Sequence, residues 1–273
     1  MTIVSENIPP LPELARAACM IAADAATKIM DIYNTDFPIG QKDDHSPLTA
    51  ADMASHNTIC KQLAELTPDI PVLSEESSEI PFAERKKWKH YWLVDPLDGT
   101  REFIKRNGEF TTNIALIEQY RSILGVVHVP VTGVTYYASK DSGAFRQLPG
   151  GLPEKIRVKK TKLENIIVAG SRSHGNKKQQ TFVDGLGKIE VISIGSSLKF
   201  CLVAEGRVDI YPRFGPTSEW DTAAAQCIVE EAGGIVSDLA LETLRYNTKD
   251  SLINPDFLVI ADPSFDWRSY LPE

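Results

Sequence analysis

The stretch YWLVDPLDGT, residues 91–100, runs four apolar residues straight into two aspartates and then a glycine. A short apolar run ending in acid reads as a buried strand whose carboxyl end carries chemistry. Asp95 and Asp98 lie three positions apart around Pro96, and carboxylates this close repel unless a cation or a proton sits between them. Pro96 fixes one backbone angle and Gly99 permits a left-handed one, so a tight turn accounts for both. A turn and a metal site each fit these ten residues, and the rest of the chain has to separate them.

Leu14, Ala18, Ile21, Ala25, Ile29 and Ile32 recur at three- and four-residue steps, which predicts an amphipathic helix from about residue 11 to 34. A second helix is expected after Ser46 and Pro47, capped by Ser46 or Thr49, and ending at Pro68. Asp52 then falls in its first turn. PVLSEE (71–76) is a second apolar run ending in acid, and TTNIALIEQ, ILGVVHVPV and GVTYYAS follow as antiparallel strands with turn signals between them.

The texture changes to Pro, Gly and Lys around QLPGGLPEKIRVKK, which places a boundary between an α+β half, residues 1–155, and an α/β half, residues 156–273. Past it, IIVAGS, IEVISIGSS and VDIYPRF read as strands, alternating with helices in LKFCLVAEG and TAAAQCIVEEAGG. The Gly233-Gly234 pair reads as a helix terminator. The expected class is α/β.

A net charge of -8 over 273 residues argues against a dedicated nucleic-acid binder, which needs a basic face to neutralise phosphates. A small anionic ligand stays open, because a bound divalent cation inverts the local field. Cys19, Cys60, Cys201 and Cys227 are too scattered for a zinc knuckle or a disulfide framework and read as reduced thiols. The first residues lack a basic segment, and Asp24 breaks their apolar run, so neither a signal peptide nor a membrane span is expected.

Acids at element ends collect into one set: Asp52, Glu75, Asp95, Asp98 and Asp221. Singly, each has an ordinary explanation; Asp221 in SEWDTAAAQ fits a helix cap. Together they offer hard oxygen ligands with no histidine or cysteine among them, a donor set for Mg²⁺ or Mn²⁺ rather than zinc.

Asp52 in SPLTAAD, Glu75 in LSEE, Asp95 to Thr100 in DPLDGT and Trp220 to Ala224 in WDTAA resemble the signature of the inositol monophosphatase superfamily of lithium-sensitive phosphatases. The likeness continues through LVDPLDGTREFIKRNGEFT (93–111), SRSH (171–174), SIGSSLKFCLVAEG (193–206) and YPRFGPT (211–217), stretches similar to its 3'(2'),5'-bisphosphate nucleotidase branch. The resemblance implies a layered αβαβα fold with metals at the junction of the halves.

It further implies that Glu75, Asp95 and the Leu97 carbonyl hold one Mg²⁺, that Asp95 bridges to a second held by Asp98 and Asp221, and that a third uses Glu75 and waters. Cations about 3.5 to 4 Å apart clamp the attacking and leaving oxygens of an in-line displacement. Thr100 with Asp52 is the implied water-positioning and proton-accepting pair. Backbone N–H groups of Gly99 and Thr100 are expected at the phosphate, where glycine leaves room for close approach. Trp220 is expected to pack beside Asp221 without reacting.

The metal set alone does not separate an inositol phosphatase from a nucleotide phosphatase. His174, Ser196, Lys199 and Arg213 match positions that contact ribose, adenine and the second phosphate in bisphosphate nucleotidases; a planar guanidinium suits a phosphate. The other histidines, His45, His56, His90 and His128, read as structural or exposed. The expected activity is Mg²⁺-dependent conversion of adenosine 3',5'-bisphosphate to AMP and phosphate, with action on the sulfated analogue PAPS, in sulfate assimilation. The alternatives are an inositol or sugar monophosphatase and a non-catalytic nucleotide sensor. The partner expected is a small nucleotide bisphosphate, and the location cytoplasmic, with at most peripheral contact at the inner membrane.

Overall fold

The first helix buries the stripe its periodicity announces. In the computed structural model, which describes residues 8–35, 47–171 and 177–271, α1 spans Leu11–Tyr33 and buries Leu14, Ala18, Ile21, Ala25 and Ile29. α2, Pro47–Leu66, packs alongside it. Asp52 is the sixth residue of α2 and so lies in its second turn, a correction to the first-turn expectation. Thr49 is inside the helix rather than capping it, and Ser46 lies outside the described residues.

β1 (Val72–Ser74) leads through a 3-10 turn, Glu75–Ser77, and the short α3 (Phe82–Arg85) to β2 (His90–Asp98). α4 (Thr100–Ile104) separates β2 from β3 (Thr111–Glu118), β4 (Arg121–Val129), β5 (Val134–Ser139), β6 (Gly143–Gln147) and β7 (Glu154–Ile156). These seven strands form one sheet in sequence order; every neighbouring pair is antiparallel except β1 with β2, which run parallel.

β8 (Ile166–Ser171), α5 (Lys177–Gly185), β9 (Ile189–Ile194), α6 (Leu198–Ala204), β10 (Ile210–Arg213), α7 (Ala223–Glu231), β11 (Ile235–Asp238) and β12 (Phe257–Ile260) follow. The second sheet runs β11-β12-β10-β8-β9. The helix before Gly233 ends as its glycine pair announces, Gly233 taking a φ of 100°.

The core falls into layers. α1 and α2 cover one face of the first sheet through Leu14, Ile21, Ile59 and Leu63 against Trp92, Val94, Ile114 and Leu116. α6 and α7 fill the space between the sheets, with Phe200, Val203 and Ile228 against Leu93, Ile117, Tyr211 and Val259. Phe182 of α5 packs on Ile166, Val168 and Ile210 at the outer face of the second sheet. The result is the αβαβα sandwich the resemblance implied.

α7 sits unusually close to β4. A Cβ added at Gly125 would lie 2.0 Å from the Ala224 carbonyl oxygen, so only glycine admits this approach. Since α7 begins two residues after Asp221, that contact fixes how the Asp221 segment meets the first sheet.

The four cysteines are all free. Among the described residues, no helix is long and apolar enough to cross a membrane.

Candidate active site

Along β2, Asp95 pairs with Asn113 and Asp98 with Thr111, so β2 takes three steps where β3 takes two. Side chains alternate faces along a strand, and three regular steps would put the two aspartates on opposite sides. The extra residue is a bulge, and it restores both to one face. DPLD is therefore a bulge inside a strand rather than the tight turn expected around Pro96; the turn is confined to Gly99, with φ 95° and ψ 44°.

The bulge is pinned from two sides. The Pro96 carbonyl accepts hydrogen bonds from Ser55 Oγ of α2 at 2.8 Å and from Thr112 Oγ1 of β3 at 3.1 Å. The Leu97 N–H donates to Asp95 Oδ1 at 3.0 Å, which orients that carboxylate.

Two further acids arrive by different routes. β1 runs parallel to β2 with Ser74 opposite Val94, so Glu75, the next residue, emerges beside Asp95. Asp221 ends a 3-10 turn, Glu219–Asp221, and its Oδ2 accepts the Ser218 N–H at 2.7 Å in a capping box. Asp221 is not the N-cap expected of it: Ser218 caps the turn and Thr222 precedes α7, while Asp221 stands at the third position of the turn, one oxygen closing the capping box and the carboxylate facing Asp95 and Asp98.

One carboxylate oxygen from each of Asp95, Asp98 and Asp221 lies within 4.8 Å of the others. Burial and the charges of Glu75, Asp98, Asp221 and Asp52 push the Asp95 carboxyl well above the ordinary range. Burial and then Asp98 push Asp221 up to about 8. Asp98 is raised by burial, and Lys199, Ser197 and Asn113 oppose the rise. Such a cluster holds protons unless a cation replaces them. Oxygen donors alone, gathered this closely, fit a hard divalent ion.

Asp98 is the best supported of the three. Its Oδ2 accepts the Ser197 N–H at 2.7 Å and lies 2.9 Å from Ser197 Oγ, while Thr111 Oγ1 approaches at 3.4 Å. Asn113 Nδ2 donates to Ser197 Oγ at 3.0 Å. Ser197 belongs to the second half of the chain, so these bonds tie the loop before α6 to the end of β2.

Asp52 is buried, and its charge is felt at Asp95. It lies one turn before Ser55, on the same side of α2, and α2 packs against α4, whose first residue is Thr100.

A cavity of about 290 Å³ opens from the acids. Its wall includes Asp98, Gly99, Thr100 and Asp221 together with Ser196, Lys199, Tyr211 and Arg213, and the Lys199 charge is felt at Asp98. Gly99 abuts the opposite loop: a Cβ there would meet the Ser196 Cβ and the Glu109 carbonyl at 3.1 Å each. Ser196 holds a left-handed φ of 44°, and its hydroxyl is buried without a hydrogen-bond partner.

Lys199 is turned back on its own loop. Its Nζ donates to the Ser196 carbonyl at 2.6 Å and the Ile194 carbonyl at 3.3 Å, and lies 5.2 Å from the Tyr211 ring centroid. Burial, with the Arg213 charge assisting, brings its pKa down to about 8 against the raising effect of Asp98. Arg213 Nη2 donates to the Pro216 carbonyl at 3.0 Å, and its buried Nε has no partner.

The structure thus gathers Asp95, Asp98 and Asp221, sets Asp52 and Glu75 beside them, and places Gly99, Thr100, Ser196, Lys199 and Arg213 around one cavity. His174 lies outside the described residues. Trp220 packs against the central core, as expected. His56, His90 and His128 bond to Ser74, Glu118 and Thr135. Sequence reasoning missed Ser55, Thr112, Asn113 and Ser197, whose hydroxyls and amide look like ordinary helix and strand residues.

The chain matches the inositol monophosphatase family over residues 11–264. It is 49% identical to the 3'(2'),5'-bisphosphate nucleotidase CysQ of Salmonella typhimurium over 243 residues, 88% of this chain and 97% of that one. It is 38% identical to CysQ of Haemophilus influenzae over 258 residues, covering 94% and 96%. The crystal structure of CysQ from Bacteroides thetaiotaomicron superposes with a TM-score of 0.82 at 40% identity, covering 95% of this chain and 99% of that one. An inositol monophosphatase from Zymomonas mobilis gives a TM-score of 0.77 at 26% identity, covering 94% and 95%. With the carboxylate cluster at the bulge of β2 and these matches across nearly its whole length, this chain belongs to the inositol monophosphatase family and is similar throughout to its CysQ members.

Proposed function

We propose that this chain is a Mg²⁺-dependent phosphomonoesterase that removes the 3'-phosphate of adenosine 3',5'-bisphosphate, giving AMP and phosphate, with PAPS as a second substrate. Its relatives bear the name 3'(2'),5'-bisphosphate nucleotidase. The observation that carries the reading is the cavity itself, acidic where Asp98 and Asp221 line it and cationic at Lys199 and Arg213. A nucleoside carrying two phosphates suits a cavity whose wall offers both cation-holding carboxylates and basic side chains.

Asp95, Asp98, Asp221, Glu75 and the Leu97 carbonyl would hold the ions, with Mn²⁺ a substitute for Mg²⁺. Bound divalent cations neutralise charge on the phosphoryl oxygens and on the leaving alkoxide and lower the pKa of a coordinated water. Thr100 orients the attacking water, and Asp52 takes its proton. Gly99 and Thr100 present backbone N–H groups to the phosphoryl oxygens. Arg213 and Lys199 fix the 5'-phosphate, and Ser196 offers its free hydroxyl to the nucleoside. His174 is assigned to the nucleoside end on the family pattern alone.

The test is product analysis on chelator-treated protein. With Mg²⁺ restored, adenosine 3',5'-bisphosphate should yield AMP and phosphate in equal amounts; adenosine 3'-phosphate as product, or release without any divalent ion, would overturn the proposal.

A further inference from the structure

The turn that carries Asp221 is only three residues long, and a 3-10 turn has poor hydrogen-bond geometry of its own. It nevertheless has to hold a carboxylate against two others. Its support lies behind the site, in a buried network of residues that no motif singles out.

Glu219, 2% exposed, opens the turn. Its carboxylate accepts the Asn247 N–H at 2.8 Å, and its own N–H donates to the Leu252 carbonyl at 2.8 Å. Asn247 holds a left-handed φ of 56°, and its side chain exchanges two hydrogen bonds with Arg85. Arg85 Nη1 donates to Asn247 Oδ1, and Asn247 Nδ2 returns to the Arg85 carbonyl at 2.7 Å. The guanidinium, 2% exposed, also reaches the Lys249 carbonyl at 3.2 Å and the Asp250 carbonyl.

Arg85 ends α3, in the segment that joins the Glu75 turn to β2. The network therefore joins the stretch that presents Glu75 to the turn that presents Asp221, through Arg85 and Asn247, which lie 162 positions apart in sequence. Both terminal nitrogens of this buried guanidinium are bonded and only its Nε has no partner; the attested use of such costly buried groups is to fix the register of one element on another.

We infer that Arg85 and Asn247 are positioning residues for the cation site, acting through Glu219 to set the Asp221 turn at its distance from Asp95 and Asp98. This rests on the reading of Asp221 as a cation ligand. None of Arg85, Glu219 and Asn247 lines the cavity, so the network acts on how well the donor set is preorganised. Removing such outer support lowers metal affinity by roughly 10- to 100-fold in known metal sites.

The experiment is calorimetric titration of the metal-free protein with Mg²⁺ alone, paired with the Mg²⁺ concentration giving half-maximal phosphate release. Asn247→Gly keeps the left-handed backbone and removes the side-chain exchange. Arg85→Lys keeps the charge and loses the fork. Each should weaken Mg²⁺ binding by about tenfold while release at saturating Mg²⁺ returns to within about twofold of the parent. Lys249→Ala, which leaves its carbonyl in place, should leave both curves unchanged.

Unaltered Mg²⁺ affinity would overturn the inference, whatever happens to the melting temperature or the plateau rate. Should Asn247→Gly fail to fold, the Arg85→Lys titration decides alone by the same criterion. Asp221→Asn, titrated in parallel, separates the two levels: an unchanged Mg²⁺ isotherm there removes the ligand reading itself.

Discussion

Asp95 and Asp98 share one face of β2 although they are three positions apart, because the strand carries one residue more than its partner between the Asn113 and Thr111 pairings. The pairing converts a spacing with the wrong parity into a site. It also makes the bulge at Pro96 and Leu97 a point where small changes should be felt in both stability and metal binding.

Ser55 and Thr112 both donate to the Pro96 carbonyl. The double variant Ser55→Ala, Thr112→Val leaves a buried carbonyl without these two donors and should cost about 2 to 4 kcal/mol. Urea unfolding of the metal-free protein measures this directly, and a loss within about 0.5 kcal/mol would show that the bulge does not depend on them.

Asp98→Asn should abolish Mg²⁺-dependent phosphate release while the circular dichroism spectrum stays that of the parent. An asparagine keeps the shape and the contact to Ser197 but removes the charge that a divalent ion needs. Undiminished release would remove Asp98 from the ligand set.

Metal removal should reveal an inverted pH dependence. Asp221 has an unfolded-state value of 3.8 and is pushed up to about 8 in the fold, so the folded state binds more protons between those limits. Stability of the metal-free protein should fall as pH rises from about 4 to about 8, and Mg²⁺ should restore it at the upper end. Melting temperatures with chelator and with Mg²⁺ at pH 5 and pH 8.5 check the sign. In Asp221→Asn the decline should be shallower, and an equal slope would place the titration elsewhere.

Arg213→Ala should separate the two phosphates of the substrate. Loss of a charged hydrogen bond of about 1.5 to 3 kcal/mol predicts a KM for adenosine 3',5'-bisphosphate raised roughly 10- to 100-fold. Turnover of adenosine 3'-phosphate, which has no 5'-phosphate to lose, should change by less than about twofold. Equal effects on both would assign Arg213 to the fold of its own loop.

Gly125→Ala should destabilise by more than an ordinary overpacking change of about 1 to 3 kcal/mol, because the added Cβ meets the Ala224 backbone rather than a side chain that can move. Chemical denaturation checks it, and a neutral outcome would mean that α7 can shift off the sheet without cost.

Much of this was legible in the chain. The stripe of α1, the strand ending in DPLD, the meander that follows and the helix before Gly233 all stand where periodicity and turn residues put them. The acids were legible because they stand at element ends, crowd where like charges repel, and sit in motifs that resemble a known family. The bulge was not, since Pro and Asp read as a turn and nothing in DPLD states how β3 pairs with it. Lys199 was assigned to the site by the resemblance alone, and its turn toward the Ser196 and Ile194 carbonyls depends on a loop conformation that no spacing encodes. Asn113, Ser197, Arg85 and Asn247 act across 84 to 162 positions of sequence, and contacts of that range leave no local pattern.

The most direct measurement is the ratio of kcat/KM for adenosine 3',5'-bisphosphate to that for inositol 1-phosphate at matched Mg²⁺. A nucleotidase cavity with cationic residues at Lys199 and Arg213 predicts a ratio of at least about ten. A preference for inositol 1-phosphate of the same size would contradict the nucleotide reading while leaving the carboxylate site in place.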